Sequence, residues 1–246
     1  MKFLKDIAAR LMACWALLLF VLLMLVFFIP IWLAKFWPEP KSTGILISNT
    51  RLWMRIYFAL IGLSLKVKGK EYFAPGENYI VVSNHNSLLD VPLTSPFIPG
   101  INKTIAKIEM SRIPLFGMIY KRGAVLVDRK DEKSRKESYA KMKQVLNLGM
   151  HMCIYPEGTR NKTNAPLKEF HDGAFRLAFE TKKAIVPTLI FNTRKALPNN
   201  RSFYFIPTPL QMHFLEPVKV QQNDTAQSLK KKVFRIMWDY YAENSH

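Results

Sequence analysis

The hydrophobic pattern divides the chain into two parts. The first quarter carries two long apolar stretches, and the remainder alternates short apolar runs with longer amphipathic segments. Residues 11–33 hold no charged side chain, and as a helix they would measure about 34 Å, against roughly 30 Å of bilayer hydrocarbon. No small-residue cleavage site follows in 34–37, so the pattern predicts an uncleaved membrane helix rather than a signal peptide.

The second apolar stretch, 45–65, is predicted to form a helix that pairs with the first. Basic residues flank the first stretch on both sides, which conflicts with a single span and favours a hairpin that enters and leaves one leaflet. The break between the helices is expected at Pro30, Pro38 and Pro40. Arg51 and Arg55 share one face of the second helix, and another face holds Leu52, Ile56, Leu60 and Leu63. This helix is either interfacial among anionic headgroups or a core helix with snorkelling arginines.

The remainder of the chain has the alternating pattern of an α/β fold. The strands are predicted at 79–83, 104–107, 124–127, 152–155, 185–190, 203–206 and 211–214. The clearest helices are predicted at 131–148 and 225–241. We therefore expect a mixed central sheet of about seven strands flanked by helices and preceded by an N-terminal two-helix membrane element. The expected division is a membrane-anchoring element at 1–66 and a catalytic domain at 67–246.

The charge balance narrows the class of partner. Lys and Arg number 36 against 18 Asp and Glu, a formal net charge of +18, which favours either nucleic acid or an anionic lipid surface. The basic residues are spread along the chain and an apolar anchor precedes them, so the lipid surface is preferred and no nucleic acid is expected. The two cysteines, Cys14 and Cys153, suggest neither a disulfide framework nor a metal cluster, which fits a reducing cytoplasm.

One predicted strand is followed by a polar loop that contains a histidine. The strand 79–83 runs into Asn84 and His85, and Asp90 follows five residues after the histidine. A carboxylate in the first turn of the next helix would orient the imidazole and strengthen it as a general base. The stretch from Ser87 to Asp90 also fits a capping box, in which Asp90 only accepts a free backbone amide. The pattern alone leaves both interpretations open.

Three other predicted strands are also followed by charged residues or by residues that can bind a phosphate. The strand 152–155 opens into Glu157, Gly158, Thr159 and Arg160, where the two central amides and the guanidinium can hold a phosphate or form a plain turn. The strands at 104–107 and 124–127 end near Lys107 and Arg129. Because strands of one α/β sheet present ligand sites at the same edge, these residues are expected to meet.

Four segments, in this order, resemble the glycerolipid acyltransferase family, which includes the 1-acylglycerol-3-phosphate acyltransferases. The first is Asn-His-x-Ser followed after two residues by Asp, at 84–90, and the second is the Gly-to-Asp-Arg segment at 123–129. The third is Pro-Glu-Gly-Thr-Arg at 156–160, and the fourth is a short apolar strand with a proline at 185–187. The resemblance covers roughly residues 70–214.

The resemblance implies an enzyme, a 1-acylglycerol-3-phosphate O-acyltransferase. It would move a fatty acyl group from acyl-CoA or acyl carrier protein to the sn-2 hydroxyl of lysophosphatidic acid, giving phosphatidic acid for phospholipid synthesis. His85 would be the general base and Asp90 its partner, with no cofactor and no metal. The residues expected to grip the glycerol phosphate are Lys107, Arg129, Glu157, Gly158, Thr159 and Arg160. The enzyme would lie on an anionic membrane, with the catalytic domain on the cytoplasmic face.

The sequence departs from the family pattern at three places. Asn86 replaces the more usual Gln, Asn161 stands where Ser is common, and His171-Asp172 precedes Gly173 where basic residues are commoner. The third departure removes positive charge near the expected phosphate site and bears on the acceptor headgroup. The alternatives are therefore the same chemistry on another lysolipid, such as a lyso-aminolipid or another lysophospholipid, or a catalytically silent membrane lipid-binding protein.

Overall fold

The computed structural model describes residues 2–244. Its α-helices are α1 (Lys2–Leu33), α2 (Lys41–Leu60), α3 (Asp90–Phe97), α4 (Phe116–Gly123), α5 (Glu132–Asn147), α6 (Gly173–Thr181), α7 (Thr193–Ala196) and α8 (Ala226–Asn244). Its strands are β1 (Leu65–Lys68), β2 (Ile80–Ser83), β3 (Asn102–Lys107), β4 (Ala124–Val127), β5 (His151–Ile154), β6 (Ile185–Phe191) and β7 (Leu210–Phe214).

The seven strands form one mixed sheet in the order β1-β7-β6-β2-β5-β3-β4. The strands β6, β2, β5, β3 and β4 are parallel to one another, whereas β7 pairs antiparallel with β6 and parallel with β1. This arrangement confirms the expected α/β class and mixed sheet. The five parallel strands direct their carboxyl ends to the same edge, where ligands bind in open α/β sheets.

Helices cover both faces of the sheet. In β2, Ile80 and Val82 pack into a cluster with α5, α6 and α8, while Val81 packs on the other side with α1 to α4. This alternation follows from the two-residue repeat of a strand, and the complete burial of β2 explains its uninterrupted apolar sequence. The strand is thus held rigidly between two layers, and so is the residue that follows it.

The two N-terminal helices form an antiparallel pair. Trp15 Nε1 donates to the carbonyl oxygen of Leu60 at 3.3 Å, and the rings of Phe20 and Tyr57 lie 5.6 Å apart. The antiparallel pairing of the two helices was therefore predicted correctly, although Pro30 lies inside α1 and the chain turns only after Leu33. Within residues 2–244, one helical stretch, Phe3–Phe36, is long and apolar enough to cross a membrane.

Two secondary-structure predictions are wrong. Residues 203–206 are not a strand, because Phe203 has a positive φ of 48° and the backbone amide of Phe205 donates to Ala9 in α1. The seventh strand is instead Leu65–Lys68, a short edge strand of alternating apolar and charged residues that begins where the second apolar stretch was predicted to end. The proposed boundary between residues 66 and 67 falls inside this strand.

Arg51 does not project outward as an interfacial arginine would. Its guanidinium donates to the carbonyl oxygens of Pro96, at 2.6 Å, and Ile98, at 3.1 Å, at the end of α3. These carbonyls belong to the last turn of a helix, where partners are missing and a cation is favourable. Arg55 remains exposed. Another face of the helix packs in the core through Trp53 and Met54, whereas Leu52, Ile56 and Leu60 are exposed, so the helix has features of both alternatives.

Candidate active site

His85 lies in the loop that follows β2, at the carboxyl edge of the sheet. Its Nδ1 lies 2.8 Å from Asp90 Oδ2, and the side chain of Asp90 is fully buried while that of His85 is 18% exposed. One side of the imidazole is thus accessible to solvent, and the buried Asp90 binds the other side. The carboxylate has no proton to donate, so it can only accept a hydrogen bond from Nδ1. The neutral ring therefore carries its proton on Nδ1, and Nε2 is free to accept a proton.

The same Asp90 oxygen also accepts two backbone amides. Asn86 donates at 2.5 Å and Ser87 at 2.7 Å, so both interpretations of the sequence hold at once: the carboxylate caps the loop and orients the histidine. The helix α3 begins at Asp90 itself, three residues later than the capping interpretation assumed. Three donors that converge on one buried oxygen fix the imidazole relative to the loop backbone.

Tyr155 supports the histidine from the neighbouring strand. Its ring centroid lies 4.6 Å from that of His85, and its hydroxyl donates to Thr94 Oγ1 at 2.9 Å. Burial raises the pKa of the Tyr155 hydroxyl well above its usual range, so this phenol stays neutral. The Tyr155 ring therefore packs against the imidazole in a position that its hydroxyl hydrogen bond fixes.

Glu157 is buried, with 1% of its surface exposed, and both of its oxygens accept backbone amides. The amide of His85 donates to Oε1 at 2.8 Å and that of Lys168 donates to Oε2 at 3.0 Å. Burial raises the pKa of Glu157 to about 7. The resemblance implies that Glu157 helps to grip the substrate, and in the structure its carboxylate lies behind the loop that carries His85.

The Gly158 and Thr159 amides, expected to form a phosphate nest, already have partners. Gly158 has a positive φ of 71° and its amide donates to Tyr155, while the Thr159 amide donates to Glu157. Both amides are therefore used by the tight turn itself, which is the second of the two interpretations that the sequence left open. The Thr159 hydroxyl is exposed and accepts from Lys168 Nζ at 2.8 Å, which brings one more cation to the loop.

Two of the three predicted cationic ligands meet at this loop. Arg129, which follows β4, donates through Nη1 to the carbonyl oxygen of Gly158, and Arg160 lies two residues beyond that glycine. Burial lowers the pKa of the Arg129 guanidinium, which nevertheless stays charged at neutral pH. Lys107 is exposed at the end of β3, and among residues 2–244 no side-chain hydrogen bond joins it to the loop.

Two contacts of the site were not predicted from the sequence: Asn199 contacts Arg160, and Lys168 contacts Thr159. Asn84, which was named only as a member of the first motif, ties β2 to β6 by exchanging hydrogen bonds with the backbone of Ile190. Lys168 lies eight residues after Arg160, where its charge was a usable signal. Asn199 follows α7, far along the chain from every motif, so no local pattern pointed to it.

The family comparison agrees with this geometry. A family model described as Acyltransferase matches residues 64–191, which is half of the chain and contains the histidine loop and the Glu-Gly-Thr-Arg loop. The chain therefore belongs to the acyltransferase family. The match ends at the last residue of β6, so the segment with Asn199 lies outside it.

Among the similar curated proteins, several are named 1-acyl-sn-glycerol-3-phosphate acyltransferase. The protein from Cocos nucifera is 32% identical over 171 residues, which cover 67% of this chain and 53% of the relative. The alpha form from Homo sapiens is 29% identical over 190 residues, which cover 76% of this chain and 66% of the relative. The chain thus spans about half to two thirds of the length of these relatives.

The fold is also that of a solved structure. The crystal structure of the 1-acyl-sn-glycerophosphate (LPA) acyltransferase PlsC from Thermotoga maritima aligns with a TM-score of 0.81 at 22% sequence identity. The alignment covers 99% of this chain and 97% of the other, so it includes the N-terminal helix pair as well as the sheet. At this identity the comparison establishes the shared architecture.

Proposed function

We propose that the chain is a 1-acyl-sn-glycerol-3-phosphate O-acyltransferase, which transfers a fatty acyl group to the sn-2 hydroxyl of lysophosphatidic acid and yields phosphatidic acid. The observation that carries the proposal is the His85–Asp90 pair, 2.8 Å apart, beside a loop with two arginines. Family membership and the names of the similar proteins support the same acceptor.

In the proposed mechanism, His85 Nε2 removes the proton of the acceptor hydroxyl as that oxygen attacks the thioester carbonyl. Asp90 holds the Nδ1 proton and stabilises the imidazolium that forms. A general base of this kind contributes on the order of a hundredfold to ten-thousandfold to the rate. The tetrahedral intermediate then collapses with loss of the thiolate, which takes the proton from His85. The donor would be acyl-CoA or acyl carrier protein, and none of these steps requires a cofactor.

The phosphate of the acceptor would lie at the Arg129 and Arg160 side of the loop. Arg129 is fixed by its bond to the Gly158 carbonyl, and Lys168 adds charge through its contact with Thr159. Arginine suits this role because its planar donors match phosphate oxygens. Glu157 contributes indirectly, by holding the amide of His85.

The membrane would supply the lysolipid and hold the enzyme. Apolar side chains of α1 are exposed along its length, among them Leu11, Val26 and Ile29, each more than 60% exposed. Contiguous apolar surface of this kind is unfavourable in water and is covered in a bilayer. The net charge of +18 favours anionic headgroups. Among residues 2–244 both cysteines are free, which fits placement of the catalytic domain on the reducing, cytoplasmic face.

The test is turnover by detergent-solubilised full-length protein given lysophosphatidic acid and either a long-chain acyl-CoA or acyl carrier protein. Thiol release and phosphatidic acid formation are followed together. His85→Ala should abolish transfer and leave membrane binding intact, whereas Asn164→Ala, at an exposed position of the neighbouring loop, should behave as wild type. Transfer that survives in His85→Ala would refute the mechanism, and absence of turnover with every donor would favour a silent lipid-binding protein.

A second acceptor class is favoured by one observation. The ring of His171 lies against Gly158, where a Cβ atom would come within 2.8 Å of His171 Nε2, and the neighbouring Asp172 is paired with Lys230 at 2.6 Å. Two positions that are commonly basic are thus occupied by an imidazole and a neutralised acid. A lysolipid with a different headgroup is therefore the second candidate, and an acceptor panel run under the same conditions separates the two.

A further inference from the structure

The loop 197–206 connects three parts of the molecule. It follows α7, beyond the carboxyl end of β6, and it contacts the histidine loop, the Glu-Gly-Thr-Arg loop and the N-terminal helix. All of it lies outside residues 64–191, which the family model covers. A loop with contacts to both halves of an active site is a candidate for positioning its residues.

Asn199 makes the contacts to the active site. Its side-chain Nδ2 donates to the carbonyl oxygen of Asn86 at 2.5 Å, next to His85 in the chain. Its Oδ1 accepts from Arg160 Nη1 at 3.0 Å. One amide side chain therefore joins the loop of the base to the arginine expected at the headgroup, and both of its polar ends are used.

The position of Asn199 is itself fixed by neighbouring hydrogen bonds. Ser87 Oγ donates to the carbonyl oxygen of Leu197 at 2.9 Å, two residues before the asparagine. On the other side, the Phe205 amide donates to Ala9 in α1 at 3.1 Å, and the Ile206 amide donates to Ala196 at 2.9 Å. The loop is thus held at both ends, so its asparagine presents a defined acceptor to the guanidinium.

We infer that Asn199 is a positioning residue that sets the orientation of Arg160 for the acceptor headgroup. An arginine side chain has many rotamers, and a fixed acceptor on Nη1 selects the few that leave Nε and Nη2 free toward a ligand. Preorganisation of this kind lowers the cost of ordering the side chain when the headgroup binds. The inference rests on the proposed function, because it assigns Arg160 to the phosphate of the acceptor.

The experiment is a double-mutant cycle on the full-length enzyme. The variants are Asn199→Ala, Arg160→Ala and the double variant, with Asn200→Ala as a matched control at the exposed neighbouring position. The apparent KM for lysophosphatidic acid and kcat are measured for each. Asn199→Ala should raise KM about tenfold with a smaller change in kcat, since one hydrogen bond to a charged group is lost. The same change should add less than about twofold in the Arg160→Ala background.

Each outcome separates the inference from the function on which it rests. If Arg160→Ala leaves KM unchanged, the proposed headgroup role of Arg160 is wrong. If Arg160→Ala raises KM but Asn199→Ala does not, or if the two effects multiply fully, Asn199 does not act through Arg160 and the inference fails alone.

A second readout needs no turnover and therefore remains decisive if lysophosphatidic acid is not the acceptor. The rate at which phenylglyoxal modifies Arg160 is followed by peptide mapping. This rate should rise several-fold in Asn199→Ala relative to Asn200→Ala, because a guanidinium released from its acceptor is more reactive. Equal rates would overturn the inference. Should Asn199→Ala lower the Tm markedly, Asn199→Ser replaces it, since a serine hydroxyl can still donate to a nearby carbonyl oxygen.

Discussion

The backbone amide of His85 donates to Glu157 Oε1 at 2.8 Å, so the glutamate of one motif holds the histidine of another. The two residues are 72 positions apart in the chain, on loops that follow the adjacent strands β2 and β5. The other oxygen of Glu157 is taken by the Lys168 amide. The Glu157 carboxylate thus fixes the position of the His85 backbone through the amide rather than through the imidazole ring.

Replacing Glu157 with glutamine should lower kcat about tenfold. The glutamine amide has one oxygen, so either the His85 or the Lys168 amide would face an NH2 group and lose its acceptor. The KM for the acceptor should change little, because Glu157 is buried behind the loop. Steady-state kinetics would be compared with Glu169→Gln, an exposed glutamate of the same loop. Equal kcat values in the two variants would contradict the positioning role.

Replacing Asp90 with asparagine should reduce kcat on the order of a hundredfold to ten-thousandfold. An amide oxygen in place of Oδ2 can still accept the three donors, but it carries no negative charge and therefore does not stabilise an imidazolium. The variant is measured beside Asp239→Asn, whose carboxylate is exposed on α8. A kcat within about threefold of wild type would show that Asp90 only caps the loop.

Replacing Arg160 with alanine should affect a phosphorylated acceptor far more than an unphosphorylated one. We expect the KM for lysophosphatidic acid to rise about tenfold or more, because a charge-assisted hydrogen bond to phosphate is lost. The KM for a monoacylglycerol, which carries the hydroxyl without the phosphate, should stay within about twofold. A fall in kcat with unchanged KM for both acceptors would remove Arg160 from the headgroup site.

Acid should destabilise the protein through His151. The Tyr79 amide donates to its Nδ1 at 3.0 Å, which requires the neutral ring, and burial lowers the pKa of His151 to about 4. The unfolded chain takes up this proton below a pKa of about 6.5, but the folded protein does so only near 4. The stability is therefore complete above pH 6.5 and falls as the pH drops toward 4, by on the order of 3 kcal/mol.

Denaturant unfolding at several pH values tests this behaviour in His151→Asn. Asparagine can place an oxygen near the Tyr79 amide and does not titrate, so the variant should lose part of the decline between pH 6.5 and 4. It should also be less stable than wild type at pH 7, because the asparagine side chain fills less of the buried space than the imidazole ring does. Parallel pH dependences for the variant and the wild type would exclude His151 as the source.

The sheet and the loops that follow its strands were predictable because their signals are local. A buried parallel strand such as β2 reads as an uninterrupted apolar run, and the polar residues after it mark the ligand edge. The edge strand β1 was missed because it has only four residues and two of them are lysines. Residues 203–206 carried a strand-like composition, but contacts with Ala9 and Ala196 decide their conformation.

The candidate site residues were also marked by short sequence motifs, whereas most of the residues that they contact lie far away in the chain. His85 and Asp90 are five positions apart, so their pairing could be predicted from the sequence of a single loop. Glu157 was assigned to the acceptor site because it belongs to the Pro-Glu-Gly-Thr-Arg motif, and its burial is not visible in the sequence. No local pattern pointed to Asn199, since its two side-chain contacts are with residues 39 and 113 positions away in the chain. Such long-range contacts arise only when the strands are placed side by side.

The N-terminal helices and one face of the sheet share a single hydrophobic cluster, in which Trp53 and Phe58 belong to the same core as Val81 and Val186. A truncation designed to give a water-soluble enzyme would uncover that face and take the guanidinium of Arg51 away from the end of α3. A water-soluble variant would therefore need polar substitutions on the surface of α1 rather than its deletion. Outward-facing positions such as Leu22 and Val26 are suitable for polar substitution.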